Sequence, residues 1–484
     1  TRGHNTPVQP DLNQNGANGL YKTNFPTAGC PIWDLITRSD NGWPAGTGAG
    51  SPFPANSLGR IDITISPSDN DYLYAQVANV TTRAVLGVWK TDDAGDTWTQ
   101  VATTSDIGGC DDSGSQAWYD MGMTVSPNNA NVLFLSAVDL FRSNNGGNSF
   151  TNSTCGYAGG SSGDFVHVDH HARAYVANDP KKLLVGSDGG VFYTNNADAP
   201  NPLNINYTQL NTTINTIEFY SGDISADFAT SDIKFAVGGA QDNGSSVASW
   251  NTNVESLGPK QWDAVFGGDG IFATIEPINS QRVYVESQFG NMGISTSGIN
   301  GPYSNFVNPW SGDSAIPFIF PFHLNKHDCS GVCDQLMAGT NRIWETTTGG
   351  LSNSSWHINS PDLTKGVLQG RSIINQMHYG FTDASIAVVG TNDGNVQFGF
   401  NMGQGFSNSA TWVNVTDANN ILPNRPILDV VTDADSATTA YAAVGGFNEN
   451  TPNTQGHVFK VVCNADCSNF TWEDKSGNLP NIPV

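Results

Sequence analysis

The sequence predicts an all-β protein, a single large β-propeller of about eight to ten four-stranded blades. Three observations lead there. Apolar residues come in short runs broken by Gly, Asn, Asp, Ser and Pro, the texture of many strands joined by tight turns rather than of amphipathic helices. Only 13% of the 484 residues are charged, yet 38% are hydrophobic and 53 are Gly, so core material is ample while helix-favouring surface is scarce. One turn motif recurs at a period of about fifty residues, the self-similarity expected of a blade array.

The elements follow in chain order. Asn5-Thr6-Pro7-Val8-Gln9-Pro10 precedes a first hairpin, whose turn is a decayed motif from Thr23 to Gly29 before Trp33. Ile61 to Pro67, Asp71 to Ala75 and Gly87 to Lys90 then read as three successive strands, leading into Thr91-Asp92-Asp93-Ala94-Gly95-Asp96-Thr97-Trp98. That octapeptide fits S/T-x-D-x-G-x-T-W at every defined position. In such a turn the acidic side chain caps N–H groups, Gly permits positive φ, and the aromatic packs between sheets. Met123 to Pro127, Val132 to Ser136 and Leu140 to Arg142 repeat the strand order before Ser143-Asn144-Asn145-Gly146-Gly147-Asn148-Ser149-Phe150, with Asn for Asp and Phe for Trp. Weaker copies stand at Thr194 to Asp198, at Thr346 to Gly350 before Trp356, and at Cys463 to Cys467 before Trp472. The array spans the chain with no linker of altered composition. A further strand is expected to begin at Asn478 to Val484, which suggests either that the termini share a blade or that the chain is incomplete there, an unfinished strand that could engage a neighbouring chain.

Charge narrows the partners. Lys and Arg total 20 against 44 Asp and Glu, a formal charge of −24 that repels phosphate backbones and anionic lipid surfaces, so no nucleic acid is expected. No apolar run approaches the roughly 18 residues needed to cross a bilayer, so no membrane insertion is expected either. The acidity suits neutral or cationic ligands, or a bound divalent cation. No cofactor is required by the sequence; Ca or Zn is compatible with it.

Seven cysteines include two close pairs, Cys329 with Cys333 and Cys463 with Cys467, both in Asp/Asn/Ser-rich turns. Four such thiols could hold zinc, but CxxxC is looser than the usual spacing and no His pattern accompanies it. Disulfides in an exported, extracellular or cell-surface protein are the expectation, with Cys110 and Cys155 as a third bridge. Cys30 is left over, available for self-association or a partner.

On these motifs the chain resembles the BNR or Asp-box propellers, a superfamily that includes sialidases, sortilin-type receptors and xyloglucan-cleaving glycoside hydrolases. It is still more similar to secreted microbial propellers loosely described as glycoside-hydrolase-like. The segments that carry this likeness are Trp118-Tyr119-Asp120, His167-Val168-Asp169-His170-His171, Gly186-Ser187-Asp188-Gly189-Gly190, Gly239-Ala240-Gln241-Asp242-Asn243-Gly244 and Gly267-Gly268-Asp269-Gly270. The resemblance implies a propeller and export. Two departures bear on activity: the arginine triad signature of sialidases is missing, Gly59-Arg60-Ile61-Asp62 being its nearest approach, and no second propeller fits the chain as xyloglucan-cleaving relatives require.

Candidate chemistry gathers at the Gly-flanked aspartates. Asp242 and Asp269 form the first candidate catalytic pair for glycoside hydrolysis, with Asp188 in reserve, because cleavage needs two carboxyl groups across the bond. Gln241 and Asn243 offer amide hydrogen bonds to sugar hydroxyls, and Trp118, Tyr119 and Trp262, with Trp250 and Trp310, offer stacking faces. Asp-Gly is equally an ordinary turn dipeptide. On a continuous strand His167, Asp169 and His171 would share one face and suit a metal, or else a buried hydrogen-bond network. Two functions therefore stand: a glycan-binding, adhesive or structural, filament-forming propeller, or a glycoside hydrolase acting on a neutral polysaccharide.

Overall fold

The structure, a computed structural model, describes residues 19–23, 33–38, 40–43, 58–110, 114–158, 165–214, 216–254, 260–327, 329 and 331–482. Cys30, the segment 5–10, most of the turn from Thr23 to Gly29 and the last two residues lie outside them. Among the described residues the only α-helix is Ala117–Asp120; the rest of the regular structure is strand, short 3-10 turns aside. The chain divides into two compact units, Thr1–Thr216 and Ile217–Val484.

The first unit holds three large sheets and a two-stranded ribbon, Tyr21–Lys22 with Asp34–Leu35. The first sheet is an antiparallel meander of Leu58–Ser66, Asp69–Asn79, Val85–Thr91 and Thr99–Thr103. The second runs Gly122–Ser126, Asn129–Ser136, Leu140–Ser143, Phe150–Asn152, with Ile107–Gly108 added in parallel at its outer edge. The third is His170–Tyr175, Leu183–Ser187, Gly190–Thr194, Thr208–Gln209. Side chains alternate across each strand, and the apolar ones pack sheet against sheet. Tyr74 and Val88 of the first sheet pack on Leu133, Phe141 and Phe150 of the second, and Phe134 and Leu140 of the second pack on Leu183, Phe192 and Tyr207.

The second unit holds five four-stranded meanders, whose first strands are Ser221–Ile224, Gly270–Ile275, Phe322–Leu324, Ile374–Tyr379 and Ile427–Asp433. All five of these strands line one cavity of about 350 Å³. Meanders stacked face to face, with their first strands around a central channel, are β-propeller architecture.

The turn motif sits where the third strand of a sheet turns into the fourth. Thr91 Oγ1 donates to Asp93 (2.6 Å) and accepts from the Gly95 N–H (2.9 Å), while Asp93 accepts from the N–H and hydroxyl of Thr97 (2.8 and 2.6 Å). Gly95 takes φ +97°, where an added Cβ would press on Ile36. Ser143, Asn145, Gly147 and Ser149 reproduce the pattern with one reversal: the Asn145 amide donates to the Ser149 hydroxyl (2.9 Å), where Asp93 accepts from Thr97. Trp98 packs against Trp43 and Trp89, Phe150 into the interface between the first two sheets, and Trp472 reaches back to the carbonyl of Val415 (2.7 Å). Disulfides join Cys110 to Cys155, Cys329 to Cys333 and Cys463 to Cys467, as expected.

Candidate functional site

In the first unit the signature segments converge on Asp188. It lies in the turn between Leu183–Ser187 and Gly190–Thr194. His170 pairs with Ser187, and a bulge between His170 and Ala172 interrupts the register. Such an irregularity re-aims a side chain, and His171 Nε2 meets Asp188 Oδ1 at 2.7 Å. Tyr119, on the short helix, donates its hydroxyl to Asp188 Oδ2 (2.8 Å) and stands edge-on to the His171 ring at 4.6 Å. Arg60 donates to the Tyr119 carbonyl, holding the helix in place. Trp118 and Tyr119 remain more than a third exposed, whereas Asp120 on the same helix is wholly buried.

The strand expected through 167–171 does not form, because the strand begins only at His170 and Asp169 adopts φ 63°. The alternation that would have set His167, Asp169 and His171 on one face is therefore broken. His167 Nδ1 contacts the Val168 carbonyl (3.0 Å), Gln116 donates to Asp169 (3.0 Å), and His171 is committed to Asp188. His170, fully buried, has its pKa pushed down to about 3 by burial and by Arg173, and so stays neutral.

Carboxylate oxygens of Asp169 and Asp188 lie within 4.8 Å of each other. Their environments push the two acids apart. Burial, reinforced by the charge of Asp188, raises Asp169 above the usual carboxylate range. Burial acts in the same direction on Asp188, but the hydrogen bonds from His171 and Tyr119 outweigh it and hold that group below the range.

In the second unit, Gln241, Asp242 and Asn243 form the turn from Ile233–Ala240 into Gly244–Asn251. Asp242 has φ 63°, and Asp269 Oδ1 accepts its N–H at 3.0 Å. Gln288 accepts from the Asp269 N–H (2.9 Å), and Tyr220 donates to Gln241 (3.0 Å). The Asn243 side chain donates to the Gln241 carbonyl (3.1 Å). Asp188 and Asp242 thus occupy the same second-to-third-strand turn of their sheets, but Asp269 precedes a first strand, so the three do not share one phase. Trp262 is partly exposed against Phe219 (4.9 Å). Trp310 is not a surface aromatic: it is fully buried, stacked on Phe320.

Sequence reasoning passed over Thr391-Asn392-Asp393-Gly394-Asn395, which also occupies a second-to-third-strand turn. Thr391 donates to Asp393 (2.6 Å) and accepts from the Asn395 N–H (2.8 Å). It also passed over His323, His327 and His378, which line the cavity of the second unit. No short motif marks those histidines, because strands distant in sequence bring them together.

No protein-family model matches the chain, and no curated protein does. Among solved structures it is similar to the GH74 enzyme of Niastella koreensis, at 13% identity over 86% of this chain and 65% of that one, TM-score 0.25. It thus spans less than two thirds of that enzyme. It is similar also to the GH74 xyloglucanase of Xanthomonas campestris (12% identity, 93% and 70% covered, TM-score 0.26) and to YCF48 of Cyanidioschyzon merolae (11%, 79% and 91%, TM-score 0.21). At these scores the architecture rests on the sheets themselves.

Proposed function

We propose that the protein is an exported or cell-surface propeller that binds a neutral polysaccharide, with Trp118, Tyr119, His171 and Asp188 as a sugar-contacting patch. The observation that carries this is the placement of two exposed aromatic rings beside a carboxylate that is kept ionised and fixed by two hydrogen bonds. Rings of this kind stack on pyranose faces, and an anchored carboxylate accepts from sugar hydroxyls. Three disulfides support export, since they persist in oxidising compartments. Affinity electrophoresis on xyloglucan and other β-glucans tests the proposal. Retardation on at least one polymer is expected, weakened roughly tenfold, about 1.4 kcal/mol, by Trp118→Ala or Tyr119→Ala. No retardation on any polymer rejects it.

A second reading, glycoside hydrolysis, is favoured by one observation: Asp169 and Asp188 are neighbouring acids whose pKa values are driven in opposite directions. Such divergence separates a proton donor from an ionised partner. Asp242 and Asp269 remain the other pair for this reading. Release of oligosaccharides that is lost in Asp188→Asn, with polymer retardation retained, would select it over simple binding. Loss in Asp242→Asn or Asp269→Asn alone would move the chemistry to the second unit.

A further inference from the structure

The cavity of the second unit contains a pair of imidazoles that neither reading uses. His323, on Phe322–Leu324, and His378, on Ile374–Tyr379, face it from neighbouring first strands, their ring centroids 4.5 Å apart and their planes inclined by 51°. Thr432 donates its hydroxyl to the Tyr379 carbonyl (3.1 Å), so its oxygen can only accept from His378 Nδ1 (3.2 Å). That fixes the proton of His378 on Nδ1 and leaves the lone pair on Nε2, the arrangement in which an outer-shell partner orients a metal-binding histidine. Nδ1 of His323 is enclosed without a hydrogen-bond partner.

We infer that His323 and His378 are cis ligands of a borderline divalent cation such as Zn, Ni or Cu. A metal–nitrogen bond of about 2.0–2.1 Å puts each ring centroid about 3.2 Å from the ion, and ligand angles between square and tetrahedral then separate the centroids by about 4.5–5.2 Å. The observed separation falls at the lower end of that span. Asp429 lines the same cavity with its Oδ1 accepting the Val430 N–H (2.8 Å), and Lys326 is held in an ion pair with Asp223. His327 stands at the exposed margin against Phe381. Imidazole pairs select these ions over Ca or Mg, which take oxygen ligands.

Calorimetric titration of untagged protein with zinc or nickel chloride, and electron paramagnetic resonance of the copper-loaded protein, test the site. One tight equivalent is expected, with nitrogen hyperfine structure from two imidazoles. His323→Ala and His378→Ala should each weaken it more than a hundredfold, and Thr432→Val by about 10–100-fold, the range for an outer-shell partner. His323→Gln serves if the alanine variant fails to fold, since it fills the space without a ring nitrogen. His167→Ala and His171→Ala in the first unit should leave the metal affinity as it is. Absence of binding, binding that survives loss of both cavity histidines, or binding lost with His167 or His171 overturns the inference. None of these outcomes depends on polysaccharide recognition.

Discussion

At the scale of the residue, Asp93 and Asn145 show what a turn asks of its side chain. Both sit two residues before a Gly-x-Thr/Ser step and accept the equivalent backbone N–H, at 2.8 and 3.1 Å. Asp93 differs in charge: hydrogen bonds from Thr91 and Thr97 lower its pKa from 3.8 to about 2. A folded pKa below the unfolded one makes the stabilisation complete above 3.8 and removes it as the pH falls toward 2. Asp93→Asn should therefore fold normally at neutral pH and show a shallower loss of stability between pH 4 and 2, measured by urea unfolding across that window. An unchanged acid limb would show that the charge contributes nothing there. These turns were legible in the sequence because every bond in them is made within a few residues. The pairing of His171 with Asp188 was not, because it depends on strand register and on a bulge that the sequence does not mark.

At the scale of the element, buried polar groups join neighbouring sheets, alongside the apolar faces, at one node, Glu345. Glu345, on Ile343–Thr346, accepts from Gln335 (3.1 Å), Tyr379 (2.9 Å), Asn359 (2.6 Å) and the Gly403 N–H (3.0 Å). It thereby ties its own sheet to the strand Ile374–Tyr379 and to the turn after Val396–Phe400. Burial raises its pKa despite those four donors. Glu345→Ala strands several buried donors at once, each costing about 1–3 kcal/mol. Chemical denaturation should find the variant destabilised by at least about 3 kcal/mol, and a loss under 1 kcal/mol would mean that water replaces the carboxylate. This role is not legible in the sequence, since the partners of Glu345 are spread from residue 335 to residue 403. For the same reason Trp310 looked like a surface ring while the fold buries it against Phe320 and Trp356.

At the scale of the whole molecule, the all-β, propeller class was readable from composition and period alone, the two short disulfides from cysteine spacing, and Cys110–Cys155 from the expectation of an exported protein. What the spacing did not reveal is how unequally the disulfides act. Cys110–Cys155 closes 45 residues, whereas the other two close four each. Loop-closure entropy assigns about 4 kcal/mol to the long bridge and roughly 2 kcal/mol to each short one. Bridge for bridge the long one counts most, so Cys110→Ser with Cys155→Ser should reproduce about half of the destabilisation seen with reductant, and about twice that of removing either short pair. If either the Cys329 or the Cys463 pair accounts for the larger part, the entropy argument does not apply here. The meander order of the sheets has a consequence of its own for how the chain is made. Each of the four-stranded sheets is built from strands consecutive in the chain, so most contacts close over short loops and form early. A chain emerging N-terminus first, from a ribosome or a secretion pore, can finish one such sheet before the next has left the channel, and seldom leaves an open strand edge waiting for a distant partner. Among the described strands it is the edge pairing of Ile107–Gly108 with Phe150–Asn152 that must wait, and Cys110–Cys155 locks it once it has formed.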